Sequence, residues 1–341
     1  MKIILTLFLI YITGPSFAQP IKNLVLEGGG VRGIAYAGAL MELENMHKLD
    51  SLERVAGTSA GAIAAVLYGL GYKGKEISQI ISTLDVKSFN DSRWFFLGGI
   101  RRLVRKYGWY RGEKFRRWMD QLILEKTGNA NLTFGELHQM AKKNKNLKDL
   151  YLTGTNLTKQ RTEIFSYEHY PNMELRTAVR ASMGIPFYFQ AIVIDDKGMV
   201  IHNKKHVHEG NVIVDGGVMA NFPIHVFDYT KYFVKNGDST IAVNPQTIGL
   251  RLDSYAQIES DKEGAGLVSM QITSFNSFAN AFYSIIIENL NRQTLTKEDW
   301  ARTISINIVD ISSKIRQISL DEKTKLINSG EKGVQDYFLK K

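Results

Sequence analysis

Along this sequence, short unbroken apolar runs alternate with stripes of helical period. Residues 23–27 form an apolar run that ends in Glu27 and three glycines, which predicts a buried strand entering a tight loop. From 33 to 46 the period changes, with Ile34, Ala37, Leu40, Leu43 and Met46 on one side of a helix. Residues 54–56 predict a second strand. Residues 60–70 predict a helix so apolar and small-sided that it belongs in the interior. Strand, helix, strand, helix in this order implies parallel strands with helices on their faces. Further strands are expected at 150–155, 163–167, 191–194, 212–214, 240–244 and 302–309, and helices near 111–126, 134–144, 173–182, 264–293 and 321–338.

The first 18 residues follow a different pattern. Lys2 precedes an apolar run from 3 to 12, then Gly14-Pro15 and the small-x-small end Ser16-Phe17-Ala18. This is the layout of a secretory leader cleaved before Gln19. The run falls short of the roughly 20 residues needed to span a bilayer, and the rival reading is a buried N-terminal element. The expectation is an exported protein, periplasmic or secreted, with the remainder 19–341 as one domain.

Composition narrows the chemistry. No cysteine is present, which excludes disulfides, a lipid-bearing N-terminal cysteine, a thiol nucleophile and a thiolate metal site. The formal net charge is +9, and removing the leader takes away only Lys2. Such a surface suits anionic partners, either phospholipid head groups or nucleic acid.

Three motifs carry candidate chemistry. Gly57-Thr58-Ser59-Ala60-Gly61 lies between a predicted strand and a predicted helix, the context of a nucleophile elbow. Small residues on either side of Ser59 let strand and helix approach, and the helix N-terminus favours developing negative charge there. Gly28-Gly29-Gly30-Val31-Arg32-Gly33 can aim several amides into one concavity. Gly28, Gly30 and Gly33 also fit a dinucleotide fingerprint, with Asp50 as the ribose partner. That reading is weakened because Asp50 precedes the second strand, and that strand ends in the elbow. Asp215-Gly216-Gly217 follows the predicted strand 212–214 and sets an acid at a strand end.

Together these motifs resemble the patatin-like phospholipases in order and spacing. Ala181-Ser182-Met183-Gly184-Ile185-Pro186-Phe187 and Asn221-Phe222-Pro223 are similar to the segments flanking that family's aspartate motif. The similarity spans about 21–245, with 246–341 completing the same domain. It implies a three-layer α/β/α fold with a mainly parallel central sheet. It also implies a dyad with Ser59 as nucleophile and Asp215 as base, and an oxyanion hole at Gly28, Gly29, Gly30 and Arg32. Gly33, Gly57, Gly61, Gly216 and Gly217 support those motifs. The expected reaction is fatty-acyl ester hydrolysis through an acyl-enzyme, of phospholipase A or lysophospholipase type, needing no cofactor or metal. A broad esterase, a triacylglycerol lipase and a catalytically silent nucleotide- or lipid-binding module are the alternatives.

Two segments fit the alternation poorly. Residues 89–117 interleave Trp94, Phe95, Phe96, Tyr107, Trp109 and Tyr110 with basic residues, among them Arg101, Arg102, Arg105 and Lys106. Rings and cations together suit a membrane interface, and a lid or docking surface is one expectation. A helical cap with its aromatics turned to the core is the other. Nucleic acid is not an expected partner, since no binding fold accompanies the segment. His202, His206 and His208 share a polar stretch with Lys204 and Lys205, which reads as a solvated loop. Asp195-Asp196 reads as a turn before Gly198.

Overall fold

The computed structural model describes residues 19–91, 97–201, 209–286, 292, 294–312 and 316–339. The leader-like segment, the rings of residues 94–96 and the three clustered histidines lie outside them. The strands are β1 (Asn23–Leu26), β2 (Arg54–Gly57), β3 (Gly108–Tyr110), β4 (Asp149–Asn156), β5 (Arg161–Phe165), β6 (Phe187–Phe189), β7 (Ile192–Ile194), β8 (Asn211–Asp215), β9 (Thr247–Asp253) and β10 (Thr303–Asn307). Eight of them form one sheet in the order β10-β9-β1-β2-β4-β8-β7, with β5 also paired to β4. The run from β10 to β4 is parallel throughout, while β5, β8 and β7 join antiparallel. β3 and β6 pair separately.

The period of two along each strand sorts side chains to two faces. Leu24, Leu26, Val55, Leu150, Leu152, Leu250 and Ile304 all point into the larger core. Over it lie α1 (Ala35–Asn45), α2 (Ala60–Gly69), α3 (Gly74–Thr83), α5 (Glu113–Thr127), α6 (Phe134–Ala141), α7 (Leu175–Ser182) and α12 (Leu320–Leu339). On the opposite face Val25, Ala56 and Tyr151 meet Phe222 and, from short helical turns, Ile224, Phe227 and Tyr232. The two outer layers are therefore unequal. Between α3 and α5 lies α4 (Leu97–Lys106), and α8 (Gly217–Ala220), α9 (Tyr255–Glu263), α10 (Phe275–Ser284) and α11 (Lys297–Ala301) complete the helices.

Two expectations need correction. The strand expected at 240–244 makes only an isolated bridge at Ile241, which is 77% exposed. The strand that joins the sheet is β9, a few residues later, between β10 and β1. Its buried Arg251 masked it in the sequence, because Arg reads as solvent-facing until its counter-charges are known. The helix expected over 264–293 is divided: α9 ends at Glu263, and α10 starts only at Phe275 after a stretch without regular structure. In the 89–117 segment most of the described rings turn inward. Phe89 packs on Phe115 and Trp118, and Tyr110 on Tyr188. On α4 it is Ile100, Val104 and the basic Arg101, Arg105 and Lys106 that stay exposed.

α1 and α12 cross at unusually short range. A Cβ on Gly38 would lie 1.9 Å from the Ile327 carbonyl oxygen, and one on Gly330 would lie 2.0 Å from that of Ala35. The backbones touch because neither side chain intervenes. Gly38→Val forces them apart, and overpacking of this kind costs about 1–3 kcal/mol. Denaturant unfolding should register that loss, and an unchanged midpoint would contradict the close crossing.

Candidate active site

β4 has eight residues and β2 four, and the candidate site is built on this difference. β2 pairs with β4 only as far as Gly57 opposite Leu152. At Leu152 the other edge of β4 carries Phe165 of β5, and at Gly154 it carries Glu163. Asp215, also paired with Gly154, must therefore occupy the edge that β2 has vacated. β8 arrives there antiparallel and ends head-on above β2. The expectation that Asp215 ends a strand beside Ser59 is met by a strand running the opposite way, since direction leaves no trace in a strand's period.

At this junction Ser59 Oγ donates a 2.9 Å hydrogen bond to Asp215 Oδ2. Ser59 has φ 52° and ψ −115°, a left-handed conformation that costs a non-glycine residue on the order of 1–3 kcal/mol. Close packing enforces it. A Cβ on Gly61 would lie 2.3 Å from the Leu26 carbonyl oxygen, and one on Gly57 2.3 Å from that of Gly61. Strand β2, helix α2 and strand β1 are thus in backbone contact, and Ser59 is the tip of the only turn that fits between them. Its amide donates to Ser182 Oγ at 2.9 Å. The neighbouring Thr58 hydroxyl bonds Thr153 Oγ1 at 2.6 Å and the Ala220 carbonyl at 2.8 Å. Gly33 lies against Ala60 at the start of α2, and Gly216 against Thr153, so both glycine motifs pack on the elbow's supports.

Asp215 is buried, with its amide donating to the Gly184 carbonyl at 2.9 Å. Burial pushes its carboxyl up to about 6, against the lowering effect of the Gly217 amide, 2.8 Å from Oδ1, and of the Ser59 hydroxyl. The carboxylate is therefore ionised at neutral pH yet far more basic than a free aspartate.

The glycine loop leaves β1 at the same sheet edge and enters the 3-10 turn Gly30–Ile34. Its expected roles divide. The Gly28 amide donates to the Asn221 carbonyl at 3.0 Å, so it is engaged and does not face an incoming oxygen. Arg32 is buried, and both its amide and its Nε donate to the Gly29 carbonyl, at 3.2 and 3.1 Å. It braces the loop from within. Gly29 caps the turn without a side-chain partner. The Gly29 and Gly30 amides, at the start of that turn, are the donors suited to an oxyanion.

Beneath the loop is a charged network that sequence reasoning missed. Glu27 accepts from the Leu252 amide at 2.8 Å and lies 3.4 Å from the guanidinium of the fully buried Arg251. Arg251 also pairs with Asp253 at 3.2 Å, and Arg292 joins Asp253 and Asp261. Glu27 directly before the glycines was the available signal, an acid at the end of a buried strand. Asp50, the alternative ribose partner, is exposed, pairs with His47 at 3.3 Å and lies at the other end of β2. Among the described residues His225, Asp228 and Asp299 are close enough to hold a metal ion. Arg302 bonds both carboxylates, at 2.5 and 2.7 Å, and already supplies the cationic charge there.

The chain belongs to the patatin-like phospholipase family, whose profile matches residues 24–228. It is 28% identical over 329 residues to the uncharacterized protein R571 of Acanthamoeba polyphaga mimivirus, covering 94% of each chain. It is 29% identical over 224 residues to a protein of Invertebrate iridescent virus 6 named a probable lipid hydrolase, covering 65% of this chain and 69% of that one. VipD from Legionella pneumophila shares the fold, with a TM-score of 0.61 at 17% identity over 94% of this chain and 67% of that one.

The raised carboxyl of Asp215 has a measurable cost. Between about pH 4, where an unfolded aspartate ionises, and pH 6, the folded chain holds a proton that the unfolded chain has released. Stability from this group therefore falls as pH rises through that window. Asp215→Asn removes the effect. Its stability relative to wild type should grow from pH 4 to pH 7, by at most about 3 kcal/mol. A difference independent of pH, measured by denaturant unfolding, would contradict the buried carboxylate.

Proposed function

We propose that this chain hydrolyses fatty-acyl esters of lipids, as a phospholipase A or lysophospholipase, through a Ser59–Asp215 dyad and an acyl-enzyme. The observation that carries the reading is the 2.9 Å bond from Ser59 Oγ to Asp215 Oδ2 beside a loop of glycine amides. Family membership and the relative named a lipid hydrolase support lipid esters as the substrate class. The leader-like start of the chain supports action after export, in a periplasm or outside the cell.

In the first half-reaction Asp215 accepts the Ser59 proton as Oγ attacks the ester carbonyl. The carbonyl oxygen becomes an anion and is held by the Gly29 and Gly30 amides. The tetrahedral intermediate collapses, the protonated Asp215 delivers its proton to the departing alcohol oxygen, and the acyl group stays on Ser59. In the second half Asp215 deprotonates a water that attacks the acyl-enzyme. The fatty acid leaves and Ser59 recovers its proton. A base near 6 suits both proton transfers better than a free carboxylate, because it remains largely ionised at pH 7 while binding a proton about a hundredfold more tightly.

A fluorophosphonate probe tests the assignment. The wild-type chain should label covalently, Ser59→Ala should not, and Asp215→Asn should label slower by about a hundredfold or more. Equal labelling of wild type and Ser59→Ala would place the nucleophile elsewhere.

A further inference from the structure

α10 has its apolar face on the wrong side for a helix that serves only the fold. Among its described side chains the small ones turn inward, with Ala281 buried and Ser277 and Ser284 half-buried. Four large ones turn out: Phe275 is 82% exposed, and Phe278, Phe282 and Ile285 are more than half exposed. Their spacing of three, four and three residues places them in one row along the helix. Phe278 and Phe282 stack on each other, with ring centroids 6.5 Å apart and planes 10° from parallel. The stretch before α10 continues the surface, with Leu267, Val268, Met270 and Ile272 exposed. From 264 to 286 the sequence contains no Asp, Glu, Lys or Arg. So many exposed large apolar side chains in one uncharged stretch of chain are uncommon on a soluble monomer and mark an interaction site.

The segment is also tied to the candidate site. β9 runs beyond its pairing with β1, and Leu252 lies against Gly29: a Cβ there would fall 2.4 Å from Leu252 Cδ1. The chain leaves β9 at Asp253, at the sheet edge that carries Ser59, and α9 begins at once. Gln257 and Ser260 of α9 then hold the Gly266 carbonyl at 2.9 and 2.7 Å, and Gln257 Oε1 accepts from the Val268 amide at 3.0 Å. The exposed apolar stretch thus starts from a point fixed to α9, the helix that follows β9 directly.

We propose that the surface formed by 267–272 and the outer row of α10 docks on a lipid membrane and seats the Ser59 edge of the sheet against it. This inference rests on the lipid-hydrolase reading above. The occupant follows from chemistry. A row of phenylalanine and isoleucine without charges, flanked by serine and asparagine, matches the boundary between acyl chains and head groups. The chain's +9 charge draws it to anionic lipid, and no described helix is long and apolar enough to cross a bilayer.

The test uses the full chain with vesicles of phosphatidylcholine and phosphatidylglycerol. Binding is measured by sedimentation in a Ser59→Ala background, so that hydrolysis does not alter the lipid. Ser59→Ala should bind, and adding Phe278→Ser with Phe282→Ser should weaken binding on the order of tenfold or more. Without Ser59→Ala, the paired serine variant should cleave a water-soluble short-chain ester at the wild-type rate, which also reports its folding, while vesicle lipid is cleaved more slowly. Phe282→Leu should retain binding. No binding by Ser59→Ala, or equal binding with and without the paired serines, would overturn the proposal. So would a dimer that the paired serines dissociate in a chain that ignores vesicles, which would assign the face to a second copy. If wild type cleaves neither ester while binding persists, the catalytic reading fails and the docking face stands.

Discussion

β4 outruns β2, and the free edge this leaves is where the antiparallel β8 sets down Asp215. The elbow at Ser59 is fixed independently, by backbone contact of Gly57 and Gly61 with their neighbours. Neither feature alone makes a dyad. Gly154 joins them, since it pairs with Asp215 and sits in register just past the end of β2. Thr153, one residue earlier, bonds the Thr58 hydroxyl and lies against Gly216. A shift of one residue in the pairing of β8 would turn Asp215 to the other face of the sheet and leave Ser59 without a partner.

The same geometry sets the electrostatics. The head-on meeting of β8 and β2 buries the carboxylate, with only the Gly217 amide and the Ser59 hydroxyl to offset lost hydration. A histidine-free dyad needs a carboxyl of this kind, because a solvated aspartate is too weak a base for a serine hydroxyl. The glycine loop has supports of its own. Arg32 braces it from within, Asn221 engages the Gly28 amide, and the Glu27–Arg251 network anchors its stem. The arrangement costs stability, in a left-handed serine and a buried charge, and the interlocked glycines are what keep both in place.

Much of this was legible in the sequence. Gly-x-Ser-x-Gly between an apolar strand and a small-residue helix announces an elbow, and three glycines after a strand announce a tight loop of backbone amides. What stayed hidden depended on partners far along the chain. The direction of β8 is set by which edge of β4 is open, and β9 was obscured because Arg251 is neutralised by Glu27 and Asp253. The role of Gly28 changed because the Asn221 carbonyl meets it from almost two hundred residues away in sequence. The outward row of α10 has ordinary helical spacing, and only the fold reveals which side faces in.

The central claim is that a buried Asp215 is the base for Ser59. The most direct measurement is kcat/KM against pH on a water-soluble short-chain ester, which reports ionisations of the free enzyme. The account predicts an acidic limb of unit slope with an apparent pKa near 6, flattening above pH 7. A rate that holds level down to about pH 4.5, as an unperturbed carboxylate would give, would contradict it. So would a limb near 6 that survives intact in Asp215→Asn.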